Sequence, residues 1–232
     1  RIPENKYRHA IICLTESGSF ENRISNSNTR VYSLYSRPGH SFRLYWTLWK
    51  TLNELKPSIV HTRNLSALEA QIPAFFLTKR VMTVHGVHGR DVFDLEGKNS
   101  KYNLLRKMIS PLVGRYITVS LDLKQWLVDT IGVNKEKVLQ IYNGVDQSLF
   151  RPGKDSLTDD TVNNFLPQEP IVIGTVGRLA EVKDQATLIR AFSSALEALP
   201  QGKQCMRLVI AGNGPLRGQL EMLIDELCLS DF

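Results

Sequence analysis

The sequence predicts an α/β chain of two doubly wound units with parallel sheets, and two observations carry that expectation. Short apolar runs rich in β-branched residues alternate with amphipathic helical stretches from His9 to Leu227. Such alternation calls for parallel strands joined by helices that cover both faces of a sheet. A polar stretch, RPGKDSLTDDTVNNFLPQEP, holds three prolines and no periodicity, which is linker composition. It divides the chain into residues 1–152, a linker at 153–170, and residues 171–232.

The elements follow in order. His9 to Leu14 and Val31 to Leu34 read as strands, with a short helix between them at Phe20 to Ser25. Ser41 to Leu55 reads as a helix: Phe42, Tyr45, Trp49 and Leu52 recur at helical spacing, and Leu44, Leu48 and Leu55 widen the apolar face. Its aromatics are expected in the core. Ser58 to His61 is a third strand after Pro57. Asn64 to Leu77 is a helix that Pro73 should kink or shorten. Arg80 to His85 is a fourth strand, Gly86 to Lys98 a glycine-bearing loop, and Tyr102 to Val113 a helix bent near Pro111. Tyr116 to Val119 is a fifth strand.

Ser120 is a good N-cap for a helix at Leu121 to Ile131, and Gly132 a good C-terminal stop. Val138 to Tyr142 is a sixth strand, closed by a turn at Asn143-Gly144. Beyond the linker come a strand at 171–176, a helix at 184–199, a strand at 207–211 and a helix at 215–227 with Pro215 in its first turn.

Composition narrows the function classes. Hydrophobic residues make up 42% and charged residues 22% of the 232, an ordinary globular balance. No apolar run approaches the roughly 20 residues that span a bilayer, and the start shows no basic-then-apolar signal pattern. Cys13, Cys205 and Cys228 are an odd number without metal-ligand spacing, so they read as reduced thiols in a cytoplasmic protein. The net charge of +6 is unevenly spread. Residues 1–115 hold 18 Lys and Arg against 8 Asp and Glu, and residues 116–232 hold 11 against 15. The basic half is open to peripheral contact with an anionic membrane surface or an anionic acceptor. Without a like-charge run or a basic stripe interleaved with aromatics, nucleic acid is not expected.

Ligands of doubly wound sheets sit at the carboxyl ends of strands, which singles out His85, Asn143, Arg178 and Gly212. The richest segment is IVIGTVGRLAEVKDQATLIRAF, Ile171 to Phe192. A strand ends at Gly177, Arg178 and Lys183 follow, and a helix opens at about Asp184. A helix start exposes unpaired N–H groups and about half a positive charge. With a guanidinium and an ammonium added, the turn suits a ligand of about two negative charges, a diphosphate above all.

The segments GTVGRLAEVKDQATLIRAF, VIAGNGPLRGQLE and IYNGVDQSLFRP resemble the glycosyltransferases of family 4, which have the two-domain GT-B fold. VHTRNLSALEAQ and VHGVHGRDVFDLEG are similar to a bacterial subgroup tied to exopolysaccharide and PEP-CTERM systems. The resemblance runs from about Tyr7 to Asp231. It implies two Rossmann-like domains and transfer of a sugar from a nucleotide diphosphate sugar to a glycan or lipid-linked acceptor. It also implies retention of configuration and no essential metal or other cofactor. The donor would lie mainly against the C-terminal domain and the acceptor against the N-terminal one.

The same resemblance suggests roles. Arg178 and Lys183 match the basic pair that holds the donor diphosphate, with Gly177 beside them. Charge grows on the leaving diphosphate as the glycosidic bond breaks, so fixed cations favour the transition state over the ground state. His85 matches a histidine near the reacting sugar, which hydrogen-bonds a donor hydroxyl or orients the acceptor; a retaining front-face route needs no general base from it. His88 reads as structural. Gly212, Asn213 and Gly214 would border the donor, although a turn role explains them nearly as well. Asn143-Gly144-Val145-Asp146 reads as structural. Arg63, Asn64, Arg90 and Asp91 are acceptor-side candidates in loops after strands.

The family's first strand and glycine-rich loop would precede Tyr7, and its paired-glutamate motif would lie beyond Phe232. Both ends therefore look cut, and the chain by itself is expected to be weakly active or inactive. Three other readings compete: a GT-B-fold sugar-nucleotide epimerase, a non-catalytic nucleotide-binding module, and a nicotinamide-dependent oxidoreductase. The last is disfavoured because no strand precedes a full G-x-G-x-x-G with an acidic residue about 20 positions on.

Overall fold

The computed structural model describes residues 6–24, 29–36, 42–91, 94–148, 150, 171–199 and 206–232. Contacts divide the chain into two compact units, Arg1–Val145 and Asp146–Phe232. The expected linker at 153–170 and Cys205 lie outside the described residues.

The first unit holds two parallel sheets. β1 (Ala10–Cys13) pairs with β2 (Arg30–Ser33), and β3 (Ile59–Arg63), β4 (Met82–Val87), β5 (Arg115–Thr118) and β6 (Val138–Gln140) form a four-stranded sheet in sequence order. Every ladder is parallel. α1 (Phe42–Leu55) lies in the chain between the two sheets. Parallel neighbours need a crossover, and in the four-stranded sheet helices supply it: α2 (Gln71–Phe75) links β3 to β4, α3 (Ser100–Ile109) links β4 to β5, and α4 (Leu121–Trp126) links β5 to β6.

Local chemistry sets several of these boundaries. The Ser120 hydroxyl accepts from Leu123 N at the start of α4, and Gly132 ends the following π-helical turn (Leu127–Ile131) at φ 81°. Cap and stop are as expected, but the helix between them widens halfway along. Asn99 caps α3 by accepting from the amides of Lys101 and Tyr102. The helix expected over 64–77 is split into a 3-10 stretch, Leu65–Ala70, and the short α2. Pro73 sits in the first turn of α2, where its missing N–H has no helical partner to lose.

Two clusters form the core of this unit. Leu68, Val113, Leu127, Ile131 and Val138 anchor the larger, and Leu48, Leu52, Ala70 and Ala74 the smaller. Full burial of each Leu, Ile or Val side chain stabilises by about 1.5–3 kcal/mol. The expectation that the α1 aromatics are core is corrected at Phe42, which is 85% exposed. The apolar face of α1 centres on Leu48 and Leu52, and Phe42 stands at the first residue, beyond that contact. Trp49 is half-buried and donates its indole N–H to the Phe76 carbonyl at 2.9 Å. The expected turn at Asn143-Gly144 is also displaced. The chain runs on without a turn through Asp146, whose carboxylate then accepts from Ser148 N at 3.0 Å.

In the second unit β7 (Ile171–Val176) and β8 (Met206–Ala211) pair in parallel over six residues. α5 (Gln185–Ala198) and α6 (Arg217–Glu226) pack on them through Ile189, Phe192, Leu196, Leu220 and Leu223. Pro215 lies in the turn before α6 rather than in its first turn, because the loop is held one step further on: Leu216 N donates to the Leu179 carbonyl at 3.2 Å. Cys13 and Cys228 are free thiols.

Candidate functional site

Most of the sequence-selected residues fall at strand ends, those of β3 and β4 in the first unit and of β7 and β8 in the second. In the first unit they gather where β3 and β4 end. The parallel register sets Thr62 beside His85 and Arg63 beside Gly86. His85 is 3% exposed. Its Nδ1 lies 2.7 Å from the Thr62 hydroxyl, and its ring meets Tyr116 edge-on at 5.6 Å. Burial, followed by the charges of His61, Arg106 and His88, pulls its pKa down to about 3. His85 is therefore neutral at physiological pH and a very weak base.

On the other face of the same strands, a Cβ at Gly86 would stand 2.9 Å from His61 Nε2 and 3.1 Å from His88 Nε2. A side chain at this position would push at least one of those imidazoles aside, so glycine leaves room for both beside β4. Arg63 donates from Nη2 to His88 Nδ1 at 3.0 Å, and Asn64 Oδ1 accepts from His88 N at 3.0 Å. Burial, then the charge of Arg63, lowers the pKa of both His61 and His88. Arg63, Asn64, His85 and His88 thus gather where β3 and β4 end, with His88 tied to Arg63 and to Asn64 just after β3.

Arg90 and Asp91 are placed differently. Arg90 pairs with Asp122 at 2.9 Å, and its guanidinium lies over the Trp126 ring at 5.8 Å. Arg106 lies over the same ring at 4.9 Å, and the indole N–H donates to the Gly97 carbonyl at 3.2 Å. This knot fixes the loop that leads into α3. Asp91 forms an isolated bridge with Asp94 in the same loop. Sequence reading passed over Thr62 and Gln71, both buried: Thr62 bonds His85, and Gln71 bonds Thr62.

In the second unit the loops after β7 and β8 are laced together by backbone. Gly177 N donates to Ala211 O at 3.0 Å and Leu179 N to Asn213 O at 3.0 Å. A Cβ at Gly212 would sit 1.9 Å from Gly177 O, and one at Gly214 would sit 2.3 Å from Leu179 O. Both glycines therefore serve the approach of one loop to the other. Asn213 turns its side-chain oxygen onto Gly214 N at 2.8 Å.

The first loop is further held by Gln185, 3% exposed, which donates to the Arg178 carbonyl at 3.1 Å. A 3-10 turn, Glu181–Lys183, leads to Asp184 in the left-handed region at φ 47°. Arg178 and Lys183 are both exposed, and neither enters an ion pair among the described residues. The Lys183 stem passes over Gly177, 4.0 Å from where a Cβ would be. The helix start is not wholly open to a ligand, because the Asp184 carboxylate accepts from Thr187 N at 3.4 Å. The cations, more than the helix N–H groups, supply the attraction for an anion here.

Among the described residues no group of three or more His, Cys, Asp or Glu could hold a metal ion. No helix among them is long and apolar enough to cross a membrane.

The parallel sheets and helices of the two units are those of the GT-B fold. The chain belongs to glycosyltransferase family 4: residues 1–149 match "Glycosyltransferase Family 4" and residues 158–231 match "Glycosyl transferases group 1". The putative glycosyltransferase EpsF of Bacillus subtilis is 30% identical over 100 residues, 43% of this chain and 25% of that protein. An uncharacterized glycosyltransferase of Methanocaldococcus jannaschii, MJ1059, is 27% identical over 201 residues, 80% of this chain and 47% of that protein. Anabaena Alr3699/HepE, crystallised with UDP-glucose, superposes with a TM-score of 0.74 at 19% identity, covering 95% of this chain and 58% of that one. The chain thus spans less than two thirds of each of these relatives.

Proposed function

We propose that this chain is part of an enzyme that moves a sugar from a nucleotide diphosphate sugar to a glycan or lipid-linked acceptor, with retention, in exopolysaccharide or cell-envelope polysaccharide synthesis. The observation that carries this reading is the loop Gly177–Asp184, with two exposed cations that no carboxylate neutralises among the described residues. The pinned backbone of this loop fixes where Arg178 and Lys183 leave the chain, and among the described residues neither has to break an ion pair to meet a diphosphate. Charge developing on that leaving group strengthens the attraction as the bond breaks.

In this reading a nucleotide sugar is the donor, as the presence of UDP-glucose in the Anabaena relative suggests. The two side chains stand in for a metal, and no other cofactor takes part. Arg63 and Asn64, beside His85, are assigned to the acceptor side. The protein would work where nucleotide sugars are made, in the cytoplasm, with the basic first unit in peripheral contact with an anionic membrane face.

The test is donor binding by calorimetry in the protein that carries this sequence. Arg178→Ala and Lys183→Ala should each weaken uridine or guanosine diphosphate sugar binding, and EDTA should leave turnover intact. Unchanged binding and turnover in both variants would reject the reading.

A further inference from the structure

Behind His85 lies a chain of three buried side chains whose hydrogen bonds run in one direction. Gln71, Thr62 and His85 are 0%, 6% and 3% exposed. The Val84 carbonyl can only accept, so the Gln71 amide must turn its NH2 group toward it, at 2.9 Å. The same NH2 group donates its second hydrogen to the Thr62 hydroxyl oxygen at 2.6 Å. That hydroxyl has a single proton, and its remaining neighbour is His85 Nδ1 at 2.7 Å. Nδ1 therefore accepts, and the one proton of the neutral imidazole resides on Nε2.

We propose that Thr62 and Gln71 are positioning residues that lock His85 as the Nε2–H tautomer, so that it meets its ligand as a neutral hydrogen-bond donor. The inference rests on the transferase reading for what that ligand is: an oxygen of the sugar or acceptor with a free lone pair. It goes beyond that reading by fixing which nitrogen carries the proton and which side chains decide it. An imidazolium at this position would need Nδ1 to donate to Thr62, leaving the hydroxyl proton without an acceptor in a buried site. The relay thus opposes protonation as well as selecting the tautomer. It also bars His85 from taking a proton at Nδ1.

The direct test is a long-range 1H–15N correlation spectrum of the 15N-histidine-labelled protein, with His85 assigned by the signal lost in His85→Gln. The expected result is an Nε2–H pattern for His85 that persists from neutral pH to about pH 5. Thr62→Val keeps the side-chain shape but removes the hydroxyl, and it should convert the pattern into a tautomer mixture that Thr62→Ser restores. In transfer assays Thr62→Val should lower kcat roughly tenfold with little change in donor KM, again restored by Ser. An Nδ1–H or imidazolium pattern in the unaltered protein at neutral pH would overturn the proposal without any variant having to fold. So would an unchanged pattern in Thr62→Val. An Nε2–H pattern combined with full transfer by His85→Ala would uphold the relay and remove only the reading in which His85 serves the sugar.

Discussion

Gly212 and Gly177 meet so closely that a methyl group on Gly212 Cα would stand 1.9 Å from the Gly177 carbonyl oxygen. The loop that carries Arg178 is thereby shaped from behind by the loop after β8. Gly212→Ala should destabilise the protein by about 1–3 kcal/mol through overpacking, seen as a lower denaturant midpoint. Gly218→Ala is the matched control. Gly218 is on α6 with nothing within 4 Å of its would-be Cβ, so the change should be neutral or stabilise by about 0.5–1 kcal/mol. Equal effects at the two positions would show that the loops are not in contact as described.

For the cations, Arg178→Ala and Lys183→Ala should each cost about 1.5–3 kcal/mol of donor interaction, as expected for charge-assisted bonds to a diphosphate. Titration calorimetry with the donor and with its free nucleoside diphosphate separates this from loss of a sugar contact. The diphosphate alone should lose nearly as much as the full donor.

Acid should weaken the first unit. The pKa of His85 is depressed to about 3, below the unperturbed value of about 6.5, so the unfolded chain takes up a proton that the folded chain refuses. Stability is fully present above about pH 6.5 and declines by up to about 1.4 kcal/mol per pH unit as the pH falls toward 3. His61, His88 and Arg106 face the same strand end; the two histidines are shifted downward too and steepen the decline. Tyr116 adds no charge, since burial raises its phenol above the usual range. Denaturation at several pH values should show a shallower slope in His85→Gln; an equal slope would contradict the burial of a neutral imidazole.

Arg90 separates an acceptor contact from a structural tie. Its partner Asp122 is largely exposed, so Asp122→Asn should cost no more than about 0.5 kcal/mol. Arg90→Ala also loses the stem packing and the contact with Trp126 and should cost about 1–2 kcal/mol. If Arg90→Ala instead left stability untouched while abolishing transfer, Arg90 would belong to the acceptor site.

Local signals in the sequence were legible wherever a few neighbouring residues decide the outcome. Ser120 and Gly132 bracket their helix because capping is settled within one turn, and the strand-loop-helix order around Arg178 follows from its own segment. What escaped depends on register and on contacts between distant segments. Thr62 stands beside His85 only because β3 and β4 pair in parallel at that offset, and spacing along the chain carries no trace of the offset. The role of Gly212 and Gly214 escaped for the same reason, since the atoms they make room for belong to residues 177 and 179. Phe42 misled because helical spacing identifies a face but not where along the helix the packing stops.

The knot around Trp126 has an optical consequence. Of the three tryptophans in the chain, Trp46 and Trp49 stack against each other at 5.3 Å on α1, whereas Trp126 is buried beneath two guanidinium groups. With Trp46 and Trp49 replaced by phenylalanine, the remaining indole becomes an intrinsic fluorophore shielded from aqueous quenchers. Its emission would then report directly on whether the segment between β4 and α3 is seated or released.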